Sequence, residues 1–148
     1  MKQITQEASE YQEKFLKDID KDADAFNKVM DAFKLPKNTP EEIDKRKQVI
    51  QEEFKNAALV PLEVAKGAIK LMKFTSKVVE KGNKNTISDG AVAAMMARTA
   101  VLGALYNVKI NLQSIKDEDF VNQISQQVHE LDTKAIEEEK KILSNVGF

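Results

Sequence analysis

The sequence predicts an all-α protein, a bundle of about four long helices with one apolar helix at its centre. Two observations carry that expectation. Apolar residues recur at three- and four-residue spacing over long stretches, with no alternating strand pattern anywhere. The twenty-one residues SDGAVAAMMARTAVLGALYNV, from Ser88 to Val108, hold only the charges Asp89 and Arg98 in a chain that is 32% charged. Such a segment is expected to be buried, its Ala and Gly admitting close neighbours and its Met, Leu and Val filling space.

Each element has its own signal. Ile4, Ala8, Tyr11, Phe15, Ile19, Phe26, Met30 and Phe33 form the apolar stripe of a first helix ending near Leu35-Pro36. Thr39-Pro40-Glu41-Glu42 then supplies an N-cap hydroxyl, a proline at the first helical position and a capping-box glutamate. The second helix carries Ile43, Ile50, Phe54 and Ala57 and continues past Pro61 through Val64, Ala68, Met72 and Val79. Pro61 therefore kinks one long helix, and Gly82-Asn83 closes it. Ser88 is the expected N-cap of the third helix, which runs to about Ile115. Asp117 opens a fourth, with Phe120, Ile124, Val128, Leu131, Ala135 and Ile142 on one stripe before Gly147.

Composition narrows the function classes. At 148 residues the chain is long enough for one domain with its own core, spanning 1–148. Lys plus Arg number 23 against 24 Asp plus Glu, so a net charge of −1 favours neither nucleic acid nor an anionic membrane. The absence of cysteine removes thiol chemistry and disulfides, and a single histidine argues against a metal site within one chain. The N-terminus lacks the apolar core of a signal peptide and Arg98 interrupts the only long apolar stretch, so a cytoplasmic protein is expected.

Several polar residues stand out against this frame. Asp22 shares the apolar stripe with Phe15, Ile19, Phe26 and Phe33, where burial would raise the pKa of its carboxyl and suit it to general acid work. The same placement suits a structural aspartate paired with a neighbouring helix. Asp20, Asp24 and Asp31 fall toward the wet side. Asp89 fits either helix-start electrostatics or catalysis. Asn107 and Asn111, one turn apart on an apolar helix, either bridge helices or bind a ligand, because buried amides demand partners. Arg98 meets either a carboxylate or an anionic ligand. His129 reads as a rim residue, and Met72, Met95 and Met96 as core filler. Asp89 and Asn107 lie eighteen residues apart, about 27 Å along one helix, so a single chain cannot place both in one centre. A homodimer would bring the far end of a second copy alongside.

The strings DADAFNKVMDAFKLPK, NTPEEIDKRKQVIQEEFKNAALVPLEVA, KGNKNTISDGAVAA and GALYNVKINLQSIKDEDF, in this order and spacing, resemble the cyclodeaminase/cyclohydrolase family. That family includes the C-terminal domain of formiminotransferase-cyclodeaminase and stand-alone methenyltetrahydrofolate cyclohydrolases. The resemblance covers nearly the whole chain. It implies a multi-helical homodimeric enzyme acting on a tetrahydrofolate derivative, without a metal. By resemblance Asp22 is the first candidate for acid/base work and Asp89 the second. Phe26, Asn107 and Asn111 are candidate substrate contacts, and Lys37, Arg98 and Lys109 candidate partners of the folate carboxylates. The implied activity is formimidoyltetrahydrofolate cyclodeaminase, with the cyclohydrolase and a non-catalytic helical dimerisation module as alternatives. The family's sequence carries a glycine-rich stretch ahead of the position matching Met1, so an N-terminally shortened relative is expected.

Overall fold

The structure, a computed structural model, describes residues 2–147. Met1, the position ahead of which the family's glycine-rich stretch is expected, lies outside the described residues. Four helices follow one another: α1 (Lys2–Lys34), α2 (Pro40–Lys81), α3 (Ile87–Leu112) and α4 (Glu118–Ser144), with a 3-10 turn at Lys84–Thr86.

The capping chemistry positions them. Thr39 accepts from the Glu42 amide, Pro40 occupies the first turn, and Glu42 Oε2 accepts from the Asn38 amide at 2.7 Å. Asp117 caps α4 by accepting from the Phe120 amide at 3.0 Å and from Lys55 Nζ at 2.6 Å. The Lys55 hydrogen bond, with that amide behind it, holds the Asp117 carboxyl below its ordinary pKa. Ser88, the expected cap of α3, lies inside it. The preceding 3-10 turn passes directly into the helix through Ile87, whose amide donates to the Lys84 carbonyl. At the other end α3 stops at Leu112, and turn bonds carry the chain to Ile115. Gln51 of α2 clasps that turn, donating to the Ser114 carbonyl at 2.9 Å and accepting from the Lys116 amide at 2.7 Å.

The hub of the bundle is α2, 42 residues and about 63 Å long, which packs against α1, α3 and α4. Its Leu62, Ala65, Ala68 and Met72 meet Ala94, Val101, Leu105 and Val108 of α3 and Ile124, Val128, Ala135 and Ile142 of α4 in one core. Pro61 sits inside α2, as the sequence pattern predicts. Lacking an N–H, it cannot serve the Ala57 carbonyl one turn back.

Two burial expectations change. The apolar segment of α3 buries one face only: Gly90, Ala91, Ala94, Ala97, Val101, Leu105, Val108 and Leu112 are covered, while Met96 is 66% and Tyr106 69% exposed. The stretch Lys84–Leu112 is accordingly long and apolar enough, by length and composition, to cross a membrane. In α1 the covered residues are Asp18, Ala25, Val29 and Ala32, whereas Ile19, Phe26, Met30 and Phe33 are open. Because α1 packs chiefly on α2, small residues supply its covered face and the larger apolar side chains beside it stay largely exposed.

Close helix approach depends on glycine at two positions. A Cβ on Gly67 would lie 2.9 Å from the Phe15 ring, and one on Gly90 would lie 2.5 Å from Val79 Cγ2. Val79 is a buried β-branched residue with little freedom to move. Gly90→Ala should therefore lower the melting temperature by a few degrees. The overpacking, about 1–3 kcal/mol, outweighs the ~1 kcal/mol gained when a helical glycine becomes alanine. A calorimetric scan showing an unchanged or raised midpoint would contradict the close α2–α3 packing.

Candidate active site

A cavity of about 750 Å³ lies where α1 and α3 diverge above α2. Phe15, Leu16, Asp18, Ile19 and Asp22 form the α1 wall, and Pro61, Val64, Ala68 and Leu71 the floor. Ala100, Gly103, Ala104 and Asn107 form the α3 wall. A second cavity of about 600 Å³ shares Ala8, Phe15, Leu71 and Ala100 with the first, so the two make one apolar trough. Asp22 marks one end and Asp89, beside Thr86, the other.

Asp22 and Asn107 meet at the first end. Asn107 Nδ2 donates to Asp22 Oδ1 at 3.3 Å, joining α3 to α1. Asn111 Nδ2 lies 3.1 Å from Asn107 Oδ1 and 3.4 Å from the Ala57 carbonyl, the group Pro61 leaves without its helical donor. A polar chain thus runs from the α2 backbone through Asn111 and Asn107 to the Asp22 carboxylate. The sequence left Asn111 open between bridging helices and binding ligand; the geometry makes it a bridge.

Asp22 is exposed, contrary to the expectation that its stripe buries it. The trough is open along its length, so the carboxylate faces a cavity instead of a sealed core. The buried carboxylate of α1 is Asp18, 5% exposed and one turn earlier, which the sequence reading passed over. Lys14 Nζ and Lys21 Nζ donate to it at 2.5 and 2.8 Å. Burial pushes the Asp18 carboxyl up, but the hydrogen bonds and charges of the two lysines prevail and hold it below its ordinary value. Lysines at i−4 and i+3 around one aspartate were the available sequence signal.

The other candidates scatter. Asp89 lines the second cavity, away from Asn107. Arg98 turns to α4, its Nε 3.3 Å from Glu139 Oε2 in an ion pair without hydrogen-bond geometry, and it does not line the trough. Lys109 Nζ sits 5.1 Å from the Tyr106 ring centroid and borders a small cavity of about 180 Å³ with His129, away from the trough. Phe26, 63% exposed on α1, and Lys37, exposed in the α1–α2 loop, do not line the trough. Asp20, Asp24 and Asp31 are exposed, as expected. Among the described residues, no group of three or more His, Asp or Glu is placed to hold a metal ion.

A family model described as formiminotransferase-cyclodeaminase matches residues 1–130, across all of α1, α2 and α3. The chain belongs to that family. Within the family it is 42% identical over 102 residues to the formimidoyltransferase-cyclodeaminase of Mus musculus, covering 69% of this chain and 19% of that protein. It is 39% identical over 102 residues to the methenyltetrahydrofolate cyclohydrolase of Methylorubrum extorquens, covering 69% of this chain and 49% of that protein. The crystal structure of formiminotetrahydrofolate cyclodeaminase from Thermotoga maritima superposes with a TM-score of 0.85 at 29% identity, over 99% of this chain and 69% of that one. The chain therefore spans only part of the length of the family members it matches.

Two measurements test the site's framework. In Pro61→Ala the restored amide should take over the Ala57 carbonyl. Asn111→Ala, expected to cost about 1–3 kcal/mol in the native background, should then cost clearly less. Equal costs in both backgrounds, measured by urea unfolding, would disconnect Asn111 from Pro61. For Asp18, a depressed folded pKa gives stability that is present above the unfolded value, about 3.9, and lost as pH falls through the folded one. The stability difference between the native chain and Asp18→Asn should hold constant near neutral pH and shrink below about pH 4. A difference that stays constant down to pH 2 would refute the paired carboxylate.

Proposed function

We propose that this chain is a folate-processing domain that converts 5-formimino-tetrahydrofolate to 5,10-methenyl-tetrahydrofolate and ammonia, with Asp22 as the acid/base group. The observation that carries this reading is the Asp22 carboxylate held by the Asn107 amide at the wall of an apolar cavity of about 750 Å³, a size in the range of small-molecule sites. Its support from relatives is the cyclodeaminase named among both the similar sequences and the superposed structure. In this reaction N10 attacks the carbon of the protonated formimino group and gives up its proton, and the departing NH2 gains that one proton to leave as ammonia, the positive charge passing to the methenyl bridge. One carboxyl can accept that proton and return it. Asn107 holds that carboxyl at a fixed azimuth, and Asn111 holds Asn107.

A second reading, methenyltetrahydrofolate cyclohydrolase, rests on the bacterial relative, whose 39% identity is close to the 42% of the mouse protein. There the same carboxyl would take a proton from the water that opens the methenyl bridge. Both reactions pass through the same one-carbon bridge between N5 and N10, so a single site serves either.

We also infer a homodimer. Met96, Tyr106 and Ile110 on α3 and Ile19 and Phe26 on α1 leave large apolar side chains open, more than a monomer ordinarily exposes in one region. A second copy packed antiparallel would cover them and bring its Asp89 toward Asp22 and Asn107. We assign that face to a second copy in place of lipid because Asp22, Asn107 and Asp89 lie along the trough edge, where charge and amides are costly in hydrocarbon.

Supplying the full chain with each substrate and following methenyl-tetrahydrofolate by absorbance tests the proposal. The native chain should form it from the formimino compound, and Asp22→Asn should lose at least about a hundredfold in kcat. Unchanged turnover in the variant would remove Asp22 from the mechanism, and consumption of the methenyl compound alone would select the cyclohydrolase.

A further inference from the structure

Glycine inside a helix costs about 0.5–1 kcal/mol relative to alanine, so an interior helical glycine calls for a reason. Gly67 and Gly90 have theirs within the chain, in the Phe15 ring and the Val79 side chain. Gly103 does not. A Cβ built there meets nothing within 4 Å. Yet Gly103 sits inside α3, on the wall of the 750 Å³ cavity, one turn before Asn107 and one turn after Ala100.

The space kept free has a definite shape. Ala100, Gly103 and Ala104 give the α3 wall almost no relief, while Phe15 and Pro61 across the cavity offer flat, rigid surfaces. Asp22 and Asn107 are hydrogen-bonded to each other at one end, while the other polar lining groups are Asp18, already paired with Lys14 and Lys21, and Gln12 further along α1. An apolar slot with acceptor and donor groups at its end suits a flat heteroaromatic ring whose faces are apolar and whose edge carries amide-like hydrogen-bonding groups. Backbone exposed at a glycine permits closer approach than any side chain would.

We propose that Gly103 is a specificity-determining residue: its missing side chain leaves the slot in which the bicyclic ring of the folate lies flat against α3, with the ring edge toward Asn107 and Asp22. This rests on the folate reading above and adds to it the place and orientation of the ring.

The test uses Gly103→Ala in the full chain, with tetrahydrofolate as the titrated probe, thermal unfolding, and mass by light scattering. Because the new methyl group meets nothing in the chain, the unliganded variant should melt at or above the native temperature, the opposite of Gly90→Ala. Its affinity for tetrahydrofolate should fall by about tenfold or more, with the mass unchanged. Affinity equal to that of the native chain would overturn the assignment of Gly103 while leaving the folate reading intact. Weakened affinity accompanied by a lower melting temperature or by a smaller assembly would also overturn it, placing Gly103 in packing or in a contact between copies. A native chain that shows no saturable tetrahydrofolate binding would sink the folate reading, and this assignment with it.

Discussion

The site depends on an unmet hydrogen bond in the middle of α2. Pro61 deprives the Ala57 carbonyl of its helical donor, and that carbonyl faces α3, where Asn111 reaches it. Asn111 in turn fixes Asn107, and Asn107 reaches across to Asp22 on α1. Three helices are thereby tied at one level of the bundle by polar groups in a region otherwise made of Ala, Val and Leu. Directional bonds of this kind set register and rotation in a way that apolar contact alone does not.

The same level is where the bundle opens. As the hub, α2 packs against every other helix, and α1 and α3 splay apart above it to leave the trough. The small residues of α3 serve different ends on its different faces. Gly90, Ala94 and Ala97 admit α2 and α4 closely, while Ala100, Gly103 and Ala104 shape the cavity wall. Charge is placed with similar economy. Asp18 is buried against two lysines at one side of the cavity, and Asp22 is left facing it with an amide for company.

Much of the fold was legible because helix signals are local. Thr39-Pro40 and Asp117 act as caps through bonds spanning three residues, and Gly82 ends α2 through a bond to Val78, so their outcomes are settled by near neighbours. Asp22 and Asn107 were legible as anomalies, polar residues on apolar stripes. Their meeting was not, since 85 positions separate them. Asp18 escaped notice because its burial depends on which side of α1 touches α2, and the apolar stripe of Ile19, Phe26 and Phe33 pointed elsewhere.

The sequence by itself determined the helical class, the order of the helices, the caps at Thr39 and Asp117, and a family signature, because periodicity and capping are encoded within a few residues. Only the tertiary structure decided that α3 is covered on one face, that Arg98 belongs to Glu139, and that Asn111 answers Pro61. Each of those is a question of which azimuth of one helix meets another. Helical spacing marks a stripe but not its partner, and partner choice follows from packing across distances the local pattern does not contain.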